Sequence, residues 1–226
     1  MAGIGGPSVV RDGLVFAIDA GSKRSYIGSG TTTNSLVSDN IGTLANGTGF
    51  NSANGGSWTS DGIDDGITVP DASNLDLSTF STEVWVNFNQ HKNFGSIMTK
   101  TTVANDRDFF NYGIFCYSTA IQFLMGDGSN DSGVALLVGL TSLPINIWHS
   151  IVVTYDGSII RLYVDGVQKG TLSTTITPFQ STGTLRIIDP SYSIDGKVSI
   201  GRVYDRALTA TEVAHNYNVI RERYNY

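Results

Sequence analysis

Residues 146–170 read NIWHSIVVTYDGSIIRLYVDGVQKG, two apolar, β-branched runs each closed by Asp-Gly. Asp-Gly between strand-like runs is a strong hairpin signal, because both central turn positions then take φ > 0. The pattern predicts three antiparallel strands, at residues 147–155, 158–164 and 167–172, and an all-β class. Over residues 80–90, Val84, Val86 and Phe88 fall on one face of a strand and Glu83, Trp85 and Asn87 on the other. Leu14-Val15-Phe16-Ala17-Ile18 is a short buried run. Further strands are expected at residues 67–69, from Ser96, through Phe115 and Tyr117, and at 121–125, 134–139, 184–188 and 197–204. Residues 28–56 lack periodicity and are dense in Gly, Ser, Thr and Asn. A segment of that kind reads as a surface excursion over one edge of a sandwich, with short strands near residues 42–44 and 49–50.

One helix is expected, near the C-terminus. Thr209-Ala210-Thr211-Glu212 is a capping box. Val213, Tyr217, Ile220 and Tyr224 follow at helical spacing on one face. That stripe packs on the domain's own edge or on a neighbouring chain, which makes Tyr217, Ile220 and Tyr224 candidate partner contacts. Turn signals recur about every ten residues without a linker, so one domain is expected: an arm at 1–10, a sandwich at 11–208 and the helical segment at 209–226.

Composition narrows the function classes. Of 226 residues 40% are hydrophobic, enough for a core, while 15% are charged and 26 are Gly, which suits many short strands joined by turns. The formal charge of -6 and the absence of a basic run do not suit a phosphate backbone, so no nucleic-acid partner is expected. No apolar run reaches the length of a membrane span, so no membrane partner is expected either. Cys116, the single cysteine, lies in a hydrophobic run and reads as a small buried side chain. The opening MAGIGGPSVV has neither the basic nor the apolar part of a signal peptide, and folding in a cytosol is the expectation.

An ordered set of short segments then resembles the laminin-G-like branch of the concanavalin A-like lectin/glucanase superfamily. They are Ser60-Asp61-Gly62-Ile63-Asp64-Asp65, Phe80-Ser81-Thr82-Glu83-Val84-Trp85-Val86, the run from Trp148 to Gly157, Leu162-Tyr163-Val164-Asp165-Gly166, Asp195-Gly196-Lys197-Val198 and Val203-Tyr204-Asp205-Arg206-Ala207-Leu208-Thr209. The resemblance implies a jelly-roll sandwich of two antiparallel sheets with 13–15 strands. Residues 12–21, DGLVFAIDAG, resemble the start of versions found in virion proteins of tailed bacteriophages. The sequence departs from the family pattern at Gly66, where an aromatic is usual, at Asp189, where Gly often closes a strand, and at Gly201, where an acidic residue is frequent.

Glycosidases of this superfamily place paired carboxylates on one strand, because hydrolysis needs an acid and a nucleophile close together. Glu83, Glu212 and Glu222 are the only glutamates and none has such a partner. His91, His149 and His215 sit in unrelated contexts and no G-x-S-x-G elbow exists. No enzyme is therefore expected. Asp61, Asp64 and Asp65 offer three carboxylates within five residues; Asp64 and Asp65 are candidate calcium ligands, with Asx-turn chemistry as the rival reading. Asp127, Asn130 and Asp131 form a second polar loop with the same two readings. No cofactor is required. A glycan would need an aromatic platform beside polar donors, for which Trp58, Tyr112, Tyr192 and Phe94 are candidates. The resulting expectation is a non-enzymatic structural protein on the surface of a tailed-phage virion, a head decoration or a tail- or neck-attached subunit. Its partners would be capsid or tail proteins and further copies of itself as a homo-oligomer. The alternative is a carbohydrate-binding adhesin that recognises a host surface glycan.

Overall fold

The computed structural model describes residues 8–102, 107–129, 134–139 and 143–224; most of the expected arm, and Asn130 and Asp131, lie outside them. Sixteen strands form among the described residues. The first six are β1 (Leu14–Asp19), β2 (Thr32–Asn34), β3 (Ile41–Ala45), β4 (Gly49–Asn51), β5 (Ser57–Asp61) and β6 (Gly66–Val69). Next come β7 (Phe80–Phe88), β8 (Gly95–Thr101), β9 (Phe110–Tyr117), β10 (Ala120–Met125) and β11 (Val134–Gly139). The last five are β12 (Trp148–Tyr155), β13 (Ile159–Val164), β14 (Val167–Ser173), β15 (Leu185–Ile187) and β16 (Asp195–Tyr204). They build two antiparallel eight-stranded sheets, a concanavalin A-like jelly-roll sandwich. Sheet one runs β14-β13-β12-β7-β16-β5-β4, with β1 paired to the far half of β16; sheet two runs β11-β10-β9-β8-β15-β6-β3-β2.

The strand count exceeds the 13–15 implied by the family resemblance. The excursion at residues 28–56 supplies β2, β3 and β4, short strands that finish one edge of each sheet. Between the sheets lies a core that includes Phe16, Trp58, Val84, Val86, Phe88, Ile114, Ile151 and Leu162. Cys116 is part of it, and burial pushes its thiol pKa up, as for an inert packing residue.

The two Asp-Gly turns of the meander differ. Asp165 (φ 53°) and Gly166 (φ 77°) both take positive φ, as the pattern predicts. At the first turn Gly157 alone does (φ 96°). Asp156 instead spends its Oδ1 on the amides of Ser158 and Ile159 and its Oδ2 on Arg161, an arrangement that leaves it out of the left-handed region.

The helix, α1 (Ala210–Ile220), starts as the capping box predicts: Glu212 N–H donates to Thr209 Oγ1, and Glu212 Oε2 accepts from Thr209 N–H at 2.8 Å. A 3-10 turn over Arg221–Tyr224 continues it. The apolar stripe lands on the domain's own sheet one, not on a free surface. Val213 joins Tyr204 and Leu208, whereas Tyr217, Ile220 and Tyr224 pack with Trp85, Trp148 and Ile200. Tyr224 is buried in this contact, while Tyr217 and Ile220 are half-buried at its margin.

Candidate functional site

The outer face of sheet one is set by β7. Its inward residues enter the core, so Glu83, Trp85 and Asn87 face outward in a row along the strand. The C-terminal segment covers the first two. Glu83 is 0% exposed and accepts from Arg202 Nη1 (2.9 Å), Trp85 Nε1 (3.1 Å) and Asn216 Nδ2 (3.2 Å). Trp85 stacks on Tyr217 and Tyr224, with ring centroids 5.7 and 4.7 Å apart. With both oxygens engaged under a helix, Glu83 has no opening through which to protonate a leaving group.

Asn87 lies beyond this cover. Register places Trp148 of β12 and Lys197 of β16 on its two sides, and Thr59 of β5 opposite Lys197. Asn87, Trp148 and Lys197 form the floor of a trough of about 290 Å³, walled by Asn51, Asn54, Asn146 and Tyr224. Tyr224 stacks on Trp148 (4.6 Å) and closes one end. Asn87 is 7% exposed, yet its Oδ1 has no hydrogen-bond partner. A buried amide oxygen left unpaired costs about 1–3 kcal/mol, unless something entering the trough supplies a donor. Lys197 enters no ion pair among the described residues.

Two residues further along the same strands, a second cavity of about 540 Å³ opens at the loop end. Asn46, Thr59, Asp61, Asp65, Asn89 and Asp195 line it. Asp195 accepts from Asn89 Nδ2 (2.8 Å) and Gln90 Nε2 (2.5 Å). Asp61, Asp64 and Asp65 can bring one oxygen each within 4.8 Å of the others. Burial pushes the Asp65 carboxyl up, and the charges of Asp61 and Asp64 add to it, against the lowering by the Asp61 amide. A hard cation such as calcium suits this donor type, but takes six to eight oxygens. Here Asp65 Oδ2 already accepts from Asp61 N–H (2.9 Å) and Asp61 Oδ1 from Ile63 N–H (2.8 Å), so turn chemistry closes the loop by itself. Asp64 and Asp65, the sequence candidates, belong to this loop, with Asp65 lining the cavity.

The four aromatic candidates do not gather into one platform, although Tyr192 and Phe94 meet each other. Trp58 is 0% exposed, points into the core and packs edge-on with Tyr26. Tyr112 is also 0% exposed; its hydroxyl donates to Leu75 O, and burial pushes its pKa up. Neither can serve as a stacking platform, because both occupy inward strand positions. Tyr192 is half-buried and meets Phe94 edge-on, away from the trough, and Phe94 stacks on Phe115. Each histidine faces a backbone carbonyl: His91 with Leu143 O, His149 with Pro144 O, His215 with Ser8 O. His149 also contacts Asp165 (2.9 Å), which ties β12 to the β13–β14 turn. The trough residues Trp148, Lys197 and Asn51 escaped sequence reading, although the outward placement of Asn87 beside Trp85 was a usable signal.

No curated protein sequence matches this chain. Among solved structures, the binding domain of Paraclostridial Mosquitocidal Protein 1 is similar, with a TM-score of 0.73 and 14% identity over 91% of this chain and 52% of that one. The botulinum neurotoxin serotype G binding domain gives 0.72 and 16% over 91% and 51%, so the chain spans about half the length of these two domains. Domain 4 of AbnA, a GH43 extracellular arabinanase from Geobacillus stearothermophilus solved with arabinotriose, gives 0.69 and 16% over 90% of this chain and 98% of that one. These likenesses show the shared fold. The sequence pattern described as the Concanavalin A-like lectin/glucanases superfamily matches residues 61–214, more than half of the chain, and the chain belongs to that superfamily.

Proposed function

We propose that this chain is a non-catalytic carbohydrate-binding domain whose ligand sits in the trough over Trp148, Asn87 and Lys197. The observation that carries this reading is the buried Asn87 amide, unpaired on one side and set among further asparagines in a polar concavity. Sugar hydroxyls both donate and accept, as do the amide side chains of Asn51, Asn54, Asn87 and Asn146 that line the trough. Binding of this kind needs no cofactor. The arabinotriose bound to the AbnA domain, which is similar over nearly its whole length, supports the same class of ligand.

The test is a glycan array followed by titration calorimetry on the parent and Asn87→Leu. The variant should lose at least about tenfold in affinity, the worth of one hydrogen-bonding group. Its thermal stability should be equal or higher, because an apolar side chain replaces an unsatisfied amide. Parent protein that binds no glycan, or a variant that binds as the parent does, overturns the reading.

The setting belongs to the same proposal: a tailed-phage particle surface, with copies of the chain as a homo-oligomer beside capsid or tail proteins. What supports it is the resemblance of residues 12–21 to phage virion proteins. Antibody labelling of intact particles should decorate head or tail, and unlabelled particles would remove that setting while leaving the glycan reading intact.

A further inference from the structure

The trough and the loop-end cavity are two parts of one surface. Trp148, Asn87, Lys197 and Thr59 are consecutive cross-strand neighbours, and three strand spacings carry this row across about 14 Å. From Asn87 to Asn89, and from Lys197 back to Asp195, each strand advances two residues on the same face, roughly 7 Å. The first members of both pairs line the trough and the second members line the cavity. Thr59, register partner of Lys197, lines the cavity as well, so no strand separates the two depressions.

The charges along this path are unequal. Lys197 is the one cation among the lining residues, whereas Asp61, Asp65 and Asp195 all line the outer half, with Asp64 close by. A polyanionic chain would meet these carboxylates at short range. Sugar hydroxyls would instead donate to them.

We infer that the two depressions form a single groove that binds an uncharged oligosaccharide of three or more units, its inner end on Asn87 and its outer end over Asp61, Asn89 and Asp195. This inference rests on the carbohydrate-binding reading above and adds the length and charge of the ligand. A monosaccharide or disaccharide would occupy the trough alone.

The test uses the full chain and calorimetry with arabino- and malto-oligosaccharides of increasing length, with oligogalacturonides as the charged counterpart. Affinity for the preferred neutral series should rise about tenfold from disaccharide to tetrasaccharide, as expected for one further set of hydrogen bonds. In Asn46→Gly/Asn89→Ala that length advantage should fall toward one. Both substitutions are at exposed positions, and Asn46 already has φ 55°, which Gly adopts without strain. Circular dichroism and melting temperature confirm that the variant folds. Affinity independent of length, while Asn87→Leu still abolishes binding, overturns the extended groove and leaves the trough reading standing. Tighter binding of oligogalacturonides than of neutral chains also overturns it. Failure of every oligosaccharide to bind removes both readings.

Discussion

Arg202→Met tests whether the C-terminal helix is sealed onto sheet one by a buried charge pair. In the native chain Arg202 Nη1 lies 2.9 Å from Glu83 Oε1, with side-chain exposures of 7% and 0%. Removing the guanidinium leaves a carboxylate with no route to water. Loss of one partner from a buried pair costs about 3–5 kcal/mol, because the other charge is stranded. Two neutral donors remain, Trp85 Nε1 and Asn216 Nδ2, so the lower end of that range applies, about 3 kcal/mol. For a chain of this size each kcal/mol shifts the melting temperature by about 2–4 °C, giving a fall of roughly 6–12 °C. Urea denaturation at neutral pH, followed by fluorescence of the Trp85–Tyr224 stack, measures the loss directly. Glu83→Leu combined with Arg202→Met should lose less than the two single changes added together, since no stranded charge remains. A single-variant cost below about 1 kcal/mol would falsify the sealed pair, because such a value belongs to solvent-exposed bridges.

Four further outcomes are expected. Tyr224→Ala removes a side chain stacked between Trp85 and Trp148 and should cost about 3–5 kcal/mol in a denaturant titration; it should also weaken any trough ligand. Gly66→Ala should destabilise by about 1–3 kcal/mol, since its Cβ would meet Ile188 O at 2.4 Å and Pro190 Cδ at 2.6 Å; unchanged melting would show that this packing gives way freely. The Arg206 guanidinium holds the Glu212 carboxyl down at about 2, so its stabilisation is complete above about 4.5 and is lost as pH falls from there toward 2. Arg206→Ala should flatten that acid limb by on the order of 1 kcal/mol after solvent screening, read from melting temperatures across the window. Burial, with the charges of Asp61 and Asp64, raises the Asp65 carboxyl, so ionising it costs stability; Asp65→Asn should raise the melting temperature at neutral pH, with the gain fading as acid protonates the parent.

The departures from the family pattern acquire causes once packing is known. Gly66 stands where an aromatic is usual because the Ile188 carbonyl and the Pro190 ring occupy the space. Gly201 packs against Ile187 and Met98, where an acidic side chain would be driven into the core. Lys100, which reads in sequence as one more polar strand residue, is fully buried. Its Nζ meets Asp71 (2.6 Å), Asp76 (2.9 Å) and the carbonyls of Ser181 and Gly183, pinning two loops at one end of the sandwich. No local pattern announces such a residue, because its partners are 29 and 24 positions before it and about 80 after it.

By itself the sequence determined everything that depends on neighbours a few positions apart. Alternation in residues 80–90 separated Val84, Val86 and Phe88 from Glu83, Trp85 and Asn87. Asp165-Gly166 specified the second turn, and Thr209 with Glu212 marked the helix start, each through steric or hydrogen-bonding rules acting within one turn or one pleat. Only the tertiary structure decided what those faces meet. Alternation says that Trp85 and Asn87 share a face, but not that the C-terminal segment covers one and leaves the other in a trough. It also marks Trp58 and Tyr112 as aromatic without saying that both point into the core. Asn87, Lys197, Thr59 and Trp148 become neighbours through cross-strand register, which is set by the packing of whole strands against the core.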